Sequence, residues 1–296
     1  TTKLAVYALA RGYAGTEILI YIGATMAAFP IFYAVIENDL RRVLAYSLNN
    51  QLGFMVVGIG VGTELALNGA AAHAFNHILY KALLYMSIGA VLYRTGTCKA
   101  SDLGGLYKSM PWTTGFCVIG AASISGFPLF AGFVSKSMIL SAVAGDGRWF
   151  VWGVLLFASA SVFHYAGIKV PYFAFFAKDS GRRVQEAPWN MLAAMAITAG
   201  MCIFIGVYPK SLYDILPFPV DYAPYTVAHV IKQMQMLMFS ALAFIVLIIY
   251  KIYPTPIKSI NLDTDWFYRR LAPAVIGVLG RWIDAFDRMV RVEALS

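Results

Sequence analysis

Leu65-Ala-Leu-Asn-Gly-Ala-Ala-Ala-His73-Ala-Phe-Asn76-His77-Ile-Leu-Tyr-Lys81-Ala-Leu-Leu-Tyr-Met-Ser-Ile-Gly-Ala-Val-Leu-Tyr93 is apolar along most of its length and holds no proline and no acid. A helix that crosses a bilayer needs about 20 apolar residues, from roughly 30 Å of hydrocarbon at 1.5 Å per residue. The stretch is therefore read as one long transmembrane helix. Its polar residues are not scattered. His73, His77 and Lys81 stand at i, i+4 and i+8, so they fall within about 80° of arc and about 12 Å of helix. Asn76 lies on the flank of this stripe.

The rest of the chain has the same character. Of 296 residues, 60% are hydrophobic, 15% aromatic and only 13% charged, and the mean hydropathy is +0.68. Soluble domains are about half apolar and a quarter charged. A soluble enzyme, a disordered tail and a disulfide scaffold are excluded at this step. The net charge is +8, but the basic residues sit at the ends of apolar segments rather than in an aromatic-basic cluster. They read as orientation signals of a membrane protein, not as a nucleic-acid surface. Cys98, Cys117 and Cys202 form no CxxC pair and no metal spacing.

Outward from the quoted helix, spans are expected over Ile18–Val35, Val43–Val61, Asn190–Tyr208 and Val227–Tyr253. Asp39 is placed to cap the helix that begins near Val43. Trp112–Ser125 and Phe130–Ala144 form one discontinuous helix, broken at Gly126-Phe127-Pro128 because proline cannot continue the backbone ladder. Phe150–Phe176 is expected to be interrupted at Gly167 and Pro171. Leu4–Ala10 is too short to span and reads as the second half of a helix whose first half is missing, as in a fragment or split gene product. Trp266–Val292 alternates Leu271, Val275, Val278, Ile283, Phe286 and Val290 with Arg270, Arg281, Asp284, Arg288 and Arg291, the pattern of an amphipathic helix on a membrane surface or a neighbouring subunit. The expected fold is all-α: a polytopic transmembrane bundle of seven to eight helical segments over 1–253, then a polar linker and lateral helix over 254–296. Arg41/Arg42 and Arg94/Lys99/Lys108 fall on one side, which the positive-inside rule makes cytoplasmic. The Lys178–Pro188 loop is expected to join that side only if 112–176 crosses an odd number of times, which the break at Pro128 leaves open.

Ionisable residues inside the bilayer are costly and mark function by default. Besides the stripe, Lys136 lies in the run 130–144 beside the break, flanked by Ser135 and Ser137. His164 and Lys169 lie within 150–176, and Lys3 precedes the first apolar stretch. The acids Glu17, Glu37, Asp39, Glu64, Asp102 and Asp146 fall at helix ends or in loops. Lysines and histidines pass protons where burial makes the charged form costly and water links them. A sodium site would need oxygen ligands, usually carboxylates. Bland alternatives stand beside these readings. His164 fits a satisfied helix–helix hydrogen bond, and Lys81 and Lys169 fit snorkelling to an interface. His73 and His77 fit a metal pair only if a third ligand is supplied; no metal is expected.

Several segments together resemble a known family. His73-x3-His77-x3-Lys81-Ala-Leu-Leu resembles the H-x3-H-x3-K-[AS]-L-L-F helix of the antiporter-like subunits of respiratory complex I, of Mrp-type cation/proton antiporters (their D-type subunit) and of membrane-bound hydrogenases. Asp39-Leu40-Arg41-Arg42-Val43-Leu44-Ala45-Tyr46-Ser47 resembles the D-[LIV]-[KR]-R-[LIV]-[LIV]-A-Y-S segment of that family, and Gln51-Leu52-Gly53 follows it. Asp102-Leu103-Gly104-Gly105-Leu106 to Pro111 is similar to D-L-x-G-L…P. Gly126, Pro128, Gly132-Phe133 and Lys136 are similar to G-x-P-x3-G-F-x-x-K, and Thr2-Lys3 to Tyr7 is similar to T-K-x-x-x-Y. Asp263 to Tyr268 resembles the D-type branch of the Mrp antiporters. The match covers most of 1–180 in order and reads as the C-terminal part of such a subunit.

The resemblance implies a proton half-channel. Lys3 would be a central relay lysine, His73, His77 and Lys81 would carry protons onward, and Lys136 would be the exit-side group. His164 and Lys169 are weaker members. The glutamate–lysine pair that the family carries on earlier helices is absent here, and Asn49 and Asn50 replace the small hydroxyl residues expected before Gln51. The implied partners are other membrane subunits and the lipid bilayer, without nucleic acid. No redox cofactor is expected in this chain, whether the whole is an NADH:quinone oxidoreductase-like or hydrogenase-like translocase or a cation/proton antiporter. The implied location is the cell inner (cytoplasmic) membrane or an equivalent energy-transducing membrane. The rival readings are a non-conducting structural subunit of the same kind of complex, a quinone-binding redox subunit and a sodium site.

Overall fold

The computed structural model describes residues 2–254, 256, 257, 261 and 265–295. These residues are mostly helical, with turns and loops between the helices, the longest over 177–188 and 214–226, and no strand among them. The first helices are α1 (Thr2–Gly12), α2 (Ile18–Ala28), α3 (Pro30–Ile36), α4 (Leu40–Val61) and α5 (Glu64–Thr95). Pro30 opens α3 while Phe29 keeps helical dihedrals, so Ile18–Ile36 acts as one span interrupted where the proline lacks a donor. Asp39 caps α4 as its sequence position predicts, accepting from the Arg41 and Arg42 N–H groups at 2.8 and 3.2 Å. Gly62, at φ +74°, ends α4, and Thr63 then caps α5 by accepting from the Ala66 N–H at 3.3 Å.

The predicted discontinuous helix is present as α6 (Pro111–Ser125) and α7 (Ala131–Gly145). Gly126 terminates α6 in the left-handed region at φ +73°, and Leu129 also adopts φ 72°. The next helix corrects an expectation. α8 (Trp149–Val162) does not stop at Gly167 or Pro171 but continues through wide π turns at Phe163–Lys169 and Tyr172–Phe176. A π turn shifts the backbone pairing by one residue, and this absorbs a proline without ending the helix. α9 (Trp189–Val207), the single turn α10 (Lys210–Tyr213) and α11 (Val227–Ile249) follow. α11 ends before the predicted Tyr253, because Lys251 turns left-handed at φ 57°.

Among the described residues, five spans are long and apolar enough to cross a membrane: Ile18–Ile36, Glu64–Thr95, Trp149–Phe176, Trp189–Val207 and Val227–Ile249. α4 is as long as these but carries polar side chains at its middle, and α6 and α7 share one crossing between them. The molecule is a multi-pass membrane bundle. α5 lies at its centre, packed on α4, α6, α7 and α9, and α2 lies along α4. That last contact is close: a Cβ on Gly23 would stand 2.7 Å from the Val57 nitrogen.

The loops sort into two faces. Leu40 N–H bonds the Cys98 carbonyl at 3.0 Å and Ala100 N–H bonds that of Asn38 at 2.8 Å, so the turns before α4 and after α5 share a face. Glu186 caps α6 there, accepting from Trp112 N–H at 2.8 Å, and Lys108 pairs with Asp179 at 3.0 Å. Arg183, the Gly181 N–H and Lys108 together hold the Asp179 carboxyl well below the usual carboxylate range. Arg41, Arg42, Arg94, Lys99, Lys108, Lys178, Arg182 and Arg183 all belong to this basic face. On the opposite face Gly15 N–H bonds the Ile59 carbonyl at 2.9 Å and Arg148 reaches Glu17 at 3.2 Å. The chain from 112 to 176 therefore crosses twice, outward by α6 and α7 and back by 149–176. This places the Lys178–Pro188 loop on the basic face and corrects the expectation of an odd number of crossings, since an even number returns the chain to the face it left.

Residues 1–258 form one compact unit and 259–296 a second. The second holds α12 (Ala272–Leu295), preceded by a π turn at Phe267–Leu271, with the predicted alternation of apolar and charged residues along it. Asp263 and Thr264, of the stretch that resembles the D-type branch, lie outside the described residues.

Candidate functional site

The stripe on α5 faces inward. His73, His77, Tyr80 and Lys81 are all buried, and so are Ser47, Asn50 and Gln51 of α4 opposite them. The helices meet through one hub, the Gln51 side-chain carbonyl. It lies 3.2 Å from His73 Nε2 and accepts from the Tyr80 hydroxyl at 3.1 Å. The Tyr80 hydroxyl is itself 3.3 Å from His73 Nε2. The other ring nitrogen of His73, Nδ1, is 3.0 Å from Ser135 Oγ on α7. His73 thus joins α4, α5 and α7, and both its nitrogens are engaged by protein groups. That disfavours the metal-pair alternative.

The departure at Asn50 finds its explanation here. Its amide donates to the Ala27 carbonyl, and its oxygen accepts from Gln51 Nε2 at 2.6 Å. The Gln51 amide nitrogen is therefore occupied, and its oxygen is left to face His73 and Tyr80. Asn49 is exposed and takes no part.

Lys81 and Lys136 close the two ends of this arrangement. Lys81 Nζ donates to Ser47 Oγ and lies 5.7 Å from the centre of the Tyr85 ring. Lys136 Nζ donates to the Ile124 carbonyl at 2.7 Å, one of the acceptors freed where α6 breaks. The same ammonium stands 5.5 Å from the Phe54 ring centre, and Phe54 stands 6.1 Å from the His73 ring. His77 lies between the ends, with ring centres 5.4 Å from Tyr80 and 6.4 Å from His73. Its Nε2, like Asn76 Oδ1, is buried without a hydrogen-bond partner among the described residues. Lys3 comes from α1, with Nζ 3.6 Å from Met55 Sδ of α4, beside an apolar cavity of about 440 Å³.

Two predicted residues stand apart from this row. Lys169 is almost wholly buried, and its ammonium donates to the carbonyls of Ala34, Val35 and Glu37 at 3.0, 2.7 and 2.7 Å. These carbonyls end α3, so Lys169 caps a helix C-terminus, where a cation meets the negative end of the dipole. Lys169 and Lys81 are held inside the bundle and do not snorkel to a surface. The His164 ring packs on Phe244 and Tyr253, with centres 5.0 and 5.3 Å away.

Ser47, Gln51, Tyr80 and Ser135 belong to the arrangement, though none is a charged group that hydropathy makes conspicuous. Their signal was present. Ser47 and Gln51 stand at i, i+4 in an apolar run, Tyr80 is seven residues after His73, and Ser135 precedes Lys136.

A family model described as NADH:quinone oxidoreductase/Mrp antiporter, TM, matches residues 2–163, more than half of the chain. The D-type subunit of a Na(+)/H(+) antiporter from Alkalihalophilus pseudofirmus is 34% identical over 225 residues, covering 72% of this chain and 45% of that protein. Chain 5 of the NADH-ubiquinone oxidoreductase of Dictyostelium citrinum is 31% identical over 214 residues, covering 69% of this chain and 31% of that one. Among solved structures, a chain of the membrane-bound sulfane sulfur reductase, an archaeal respiratory membrane complex, superposes with a TM-score of 0.66 at 25% identity. That match covers 94% of this chain and 51% of the other. The chain spans about half or less of the length of these relatives. With the matched segment running from α1 through the broken helix into α8, the chain belongs to the NADH:quinone oxidoreductase/Mrp antiporter transmembrane family.

Proposed function

We propose that the chain moves protons across an energy-transducing membrane, most simply the cytoplasmic membrane, as one subunit of a multi-subunit complex of Mrp or complex I type. The observation that carries this reading is the buried polar row Lys81–Ser47, Tyr80–Gln51–His73–Ser135 and Lys136, which runs through the middle of three packed helices. Apolar side chains would fill such a space at lower cost. The groups in the row are lysines, histidines, hydroxyls and amides, which suit a proton better than a hard metal cation. Lys81 stands at one end of the row and Lys136 at the other, and Lys3 of α1 joins it from the side, beside Met55 of α4. His77, with a free ring nitrogen between Lys81 and His73, is where a water molecule bridges the gap. The chain's own contribution is to hold these groups within reach of one another and to keep bulk water and lipid out. The neighbouring subunits, and the redox reaction or ion gradient that drives them, lie outside it. We assign the basic face to the cytoplasmic side, following the distribution of arginine and lysine. The amphipathic α12 is the segment we assign to the membrane surface or a neighbouring subunit.

A second reading is favoured by a specific observation. Lys136 and Lys169 both donate to carbonyls at helix ends, so they can serve as caps in a subunit that conducts nothing. Proton uptake by vesicles that contain the assembled complex separates the two. The Lys136→Ala variant should assemble and lose proton movement by about a hundredfold, the lower range for a lost acid–base group. Full coupling in an assembled Lys136→Ala complex would overturn the relay. Failure to assemble, rescued with full coupling by Lys136→Met, would favour the structural subunit.

A further inference from the structure

The row of buried groups reaches Lys136 and there meets a backbone carbonyl, which accepts a hydrogen bond but passes no proton onward. What lies beyond Lys136 comes from α11, which starts on the face opposite the basic loops. Gln233 Nε2 donates to the carbonyls of Gly126 at 2.9 Å and Ser125 at 3.3 Å. With Lys136 on Ile124, three successive carbonyls at the broken end of α6 are thereby met by α7 and α11 together. Four residues earlier on α11, His229 Nε2 lies 3.3 Å from Ser141 Oγ of α7, and His229 Nδ1 lies 3.3 Å from the Tyr222 hydroxyl. Ser141 and Tyr222 are 3.2 Å apart, which closes a triangle. Ser137 and Ser141 stand at i, i+4 on α7, the first of them next to Lys136. A cavity of about 330 Å³ has Ser137, Ser141, His229, Lys232 and Gln233 in its wall beside apolar side chains such as Leu140 and Trp152; Lys136, one residue before Ser137, is not itself in the wall. A water molecule occupies about 30 Å³ in the liquid, so this cavity has room for several.

Nothing in the resemblance or in the row from Lys81 to Lys136 calls for a histidine, a tyrosine and a serine to converge here. Each comes from a different element, and a bundle wall facing lipid is ordinarily filled by apolar side chains. We propose that this cavity, with His229, Tyr222 and Ser141, is the outlet of the proton path, carrying protons from Lys136 to the face opposite the basic loops. This inference rests on the relay reading of Lys136. The Lys136 ammonium gives a proton to cavity water at Ser137 and is left as the neutral amine. His229 takes a proton at Nε2 through the Ser141 hydroxyl and gives one from Nδ1 through the Tyr222 hydroxyl to water beyond it, so the ring ends neutral in the other tautomer and resets by rotation or back exchange. Tyr222 and Ser141 hold the ring between its two hydrogen bonds. Gln233 is a positioning residue, which ties α11 to the break so that the cavity stays beside Lys136.

Proton movement by vesicles holding the complete complex tests this, with Lys136→Ala measured in parallel. The double variant His229→Gln, Tyr222→Phe keeps volume and some hydrogen bonding. It should assemble and slow proton movement about tenfold, a modest loss for a proton-transfer group. If it runs at the unmodified rate while Lys136→Ala is inactive, the outlet is wrong and the relay stands. If Lys136→Ala also runs at full rate, both fall. Should the double variant fail to assemble, Ser141→Cys decides, since it changes one atom. A membrane-impermeant thiol reagent should label it only from the face opposite the basic loops, and labelling should stop proton movement. Absence of labelling, or labelling without loss, overturns the outlet.

Discussion

Gln51 has no charge and no titratable proton, yet the arrangement turns on it. One carbonyl oxygen receives the Tyr80 hydroxyl and faces His73 Nε2, and it does so because Asn50 has taken the amide nitrogen. Replacing Gln51 by Leu keeps the volume, removes the acceptor that both partners share so that only the 3.3 Å contact between Tyr80 and His73 remains, and leaves the Asn50 oxygen without its donor in a buried site, where each unmet polar group costs about 1–3 kcal/mol. Proton movement by Gln51→Leu complexes should fall about tenfold, the effect of roughly 1.4 kcal/mol on a rate, while Gln51→Glu, which restores an acceptor, should recover part of it. An unchanged initial rate of vesicle acidification in Gln51→Leu would remove Gln51 from the path. Ser47 carries a parallel expectation. Ser47→Ala strips Lys81 of its hydroxyl partner and should slow the same assay, and Ser47→Thr should not. This scale was half legible in the sequence. The charged stripe of His73, His77 and Lys81 declares itself because charges in apolar runs are rare. Gln51, Ser47 and Tyr80 are ordinary residues, and only the packing of α4 on α5 shows which of their atoms meet.

Helix limits were written plainly where a side chain caps its own helix. Asp39 begins α4, and the break at Gly126–Pro128 ends α6, because each acts on backbone groups within a few residues of itself. Limits set by distant residues were not legible. Nothing local to Pro171 reveals that the helix from Trp149 runs on through π turns. Nor does anything near Lys169 reveal that it caps α3, more than 130 residues earlier in the chain. That contact gives Lys169 a role separable from the proton row. Lys169→Met removes the donor to three carbonyls inside the bundle and should lower the thermal stability of the assembled complex. Proton movement per assembled complex should be retained. A complex of normal stability with lost proton movement would return Lys169 to the relay. The α2–α4 contact makes a different demand. Val at position 23 adds a Cβ 2.7 Å from the Val57 nitrogen, and overpacking of this kind costs about 1–3 kcal/mol. Gly23→Val should therefore reduce the yield of assembled complex, as judged by native electrophoresis, and leave the specific activity of what assembles intact.

For the molecule as a whole, the consequence that reaches furthest is the separation of its two faces. Eight arginines and lysines lie on the face formed by the turns before α4, after α5 and before α9, and that face is stitched together by hydrogen bonds between the three loops. On the other face Arg148 is neutralised by Asp146 and Glu17, at 2.6 and 3.2 Å. A bilayer reads this asymmetry as orientation, because basic loops are retained on the cytoplasmic side. Lys136 lies on the helix that leaves the basic face, and the cavity around His229 lies past it toward the other. On the relay, outlet and orientation we propose, a proton moves away from the cytoplasm. Single cysteines at Ser180, on the basic loops, and at Gly145, at the far end of α7, report the arrangement directly, since both positions are exposed. In sealed vesicles made from intact cells without inversion, an impermeant thiol reagent should label Gly145→Cys at once and Ser180→Cys only after the membrane is opened. Labelling of both from one side would mean that α6 and α7 turn back at the break instead of crossing together, and the direction assigned to the proton would fall with the crossing. Labelling in the reverse order would leave the crossing intact and invert the direction, so the same two cysteines test the fold and its orientation separately.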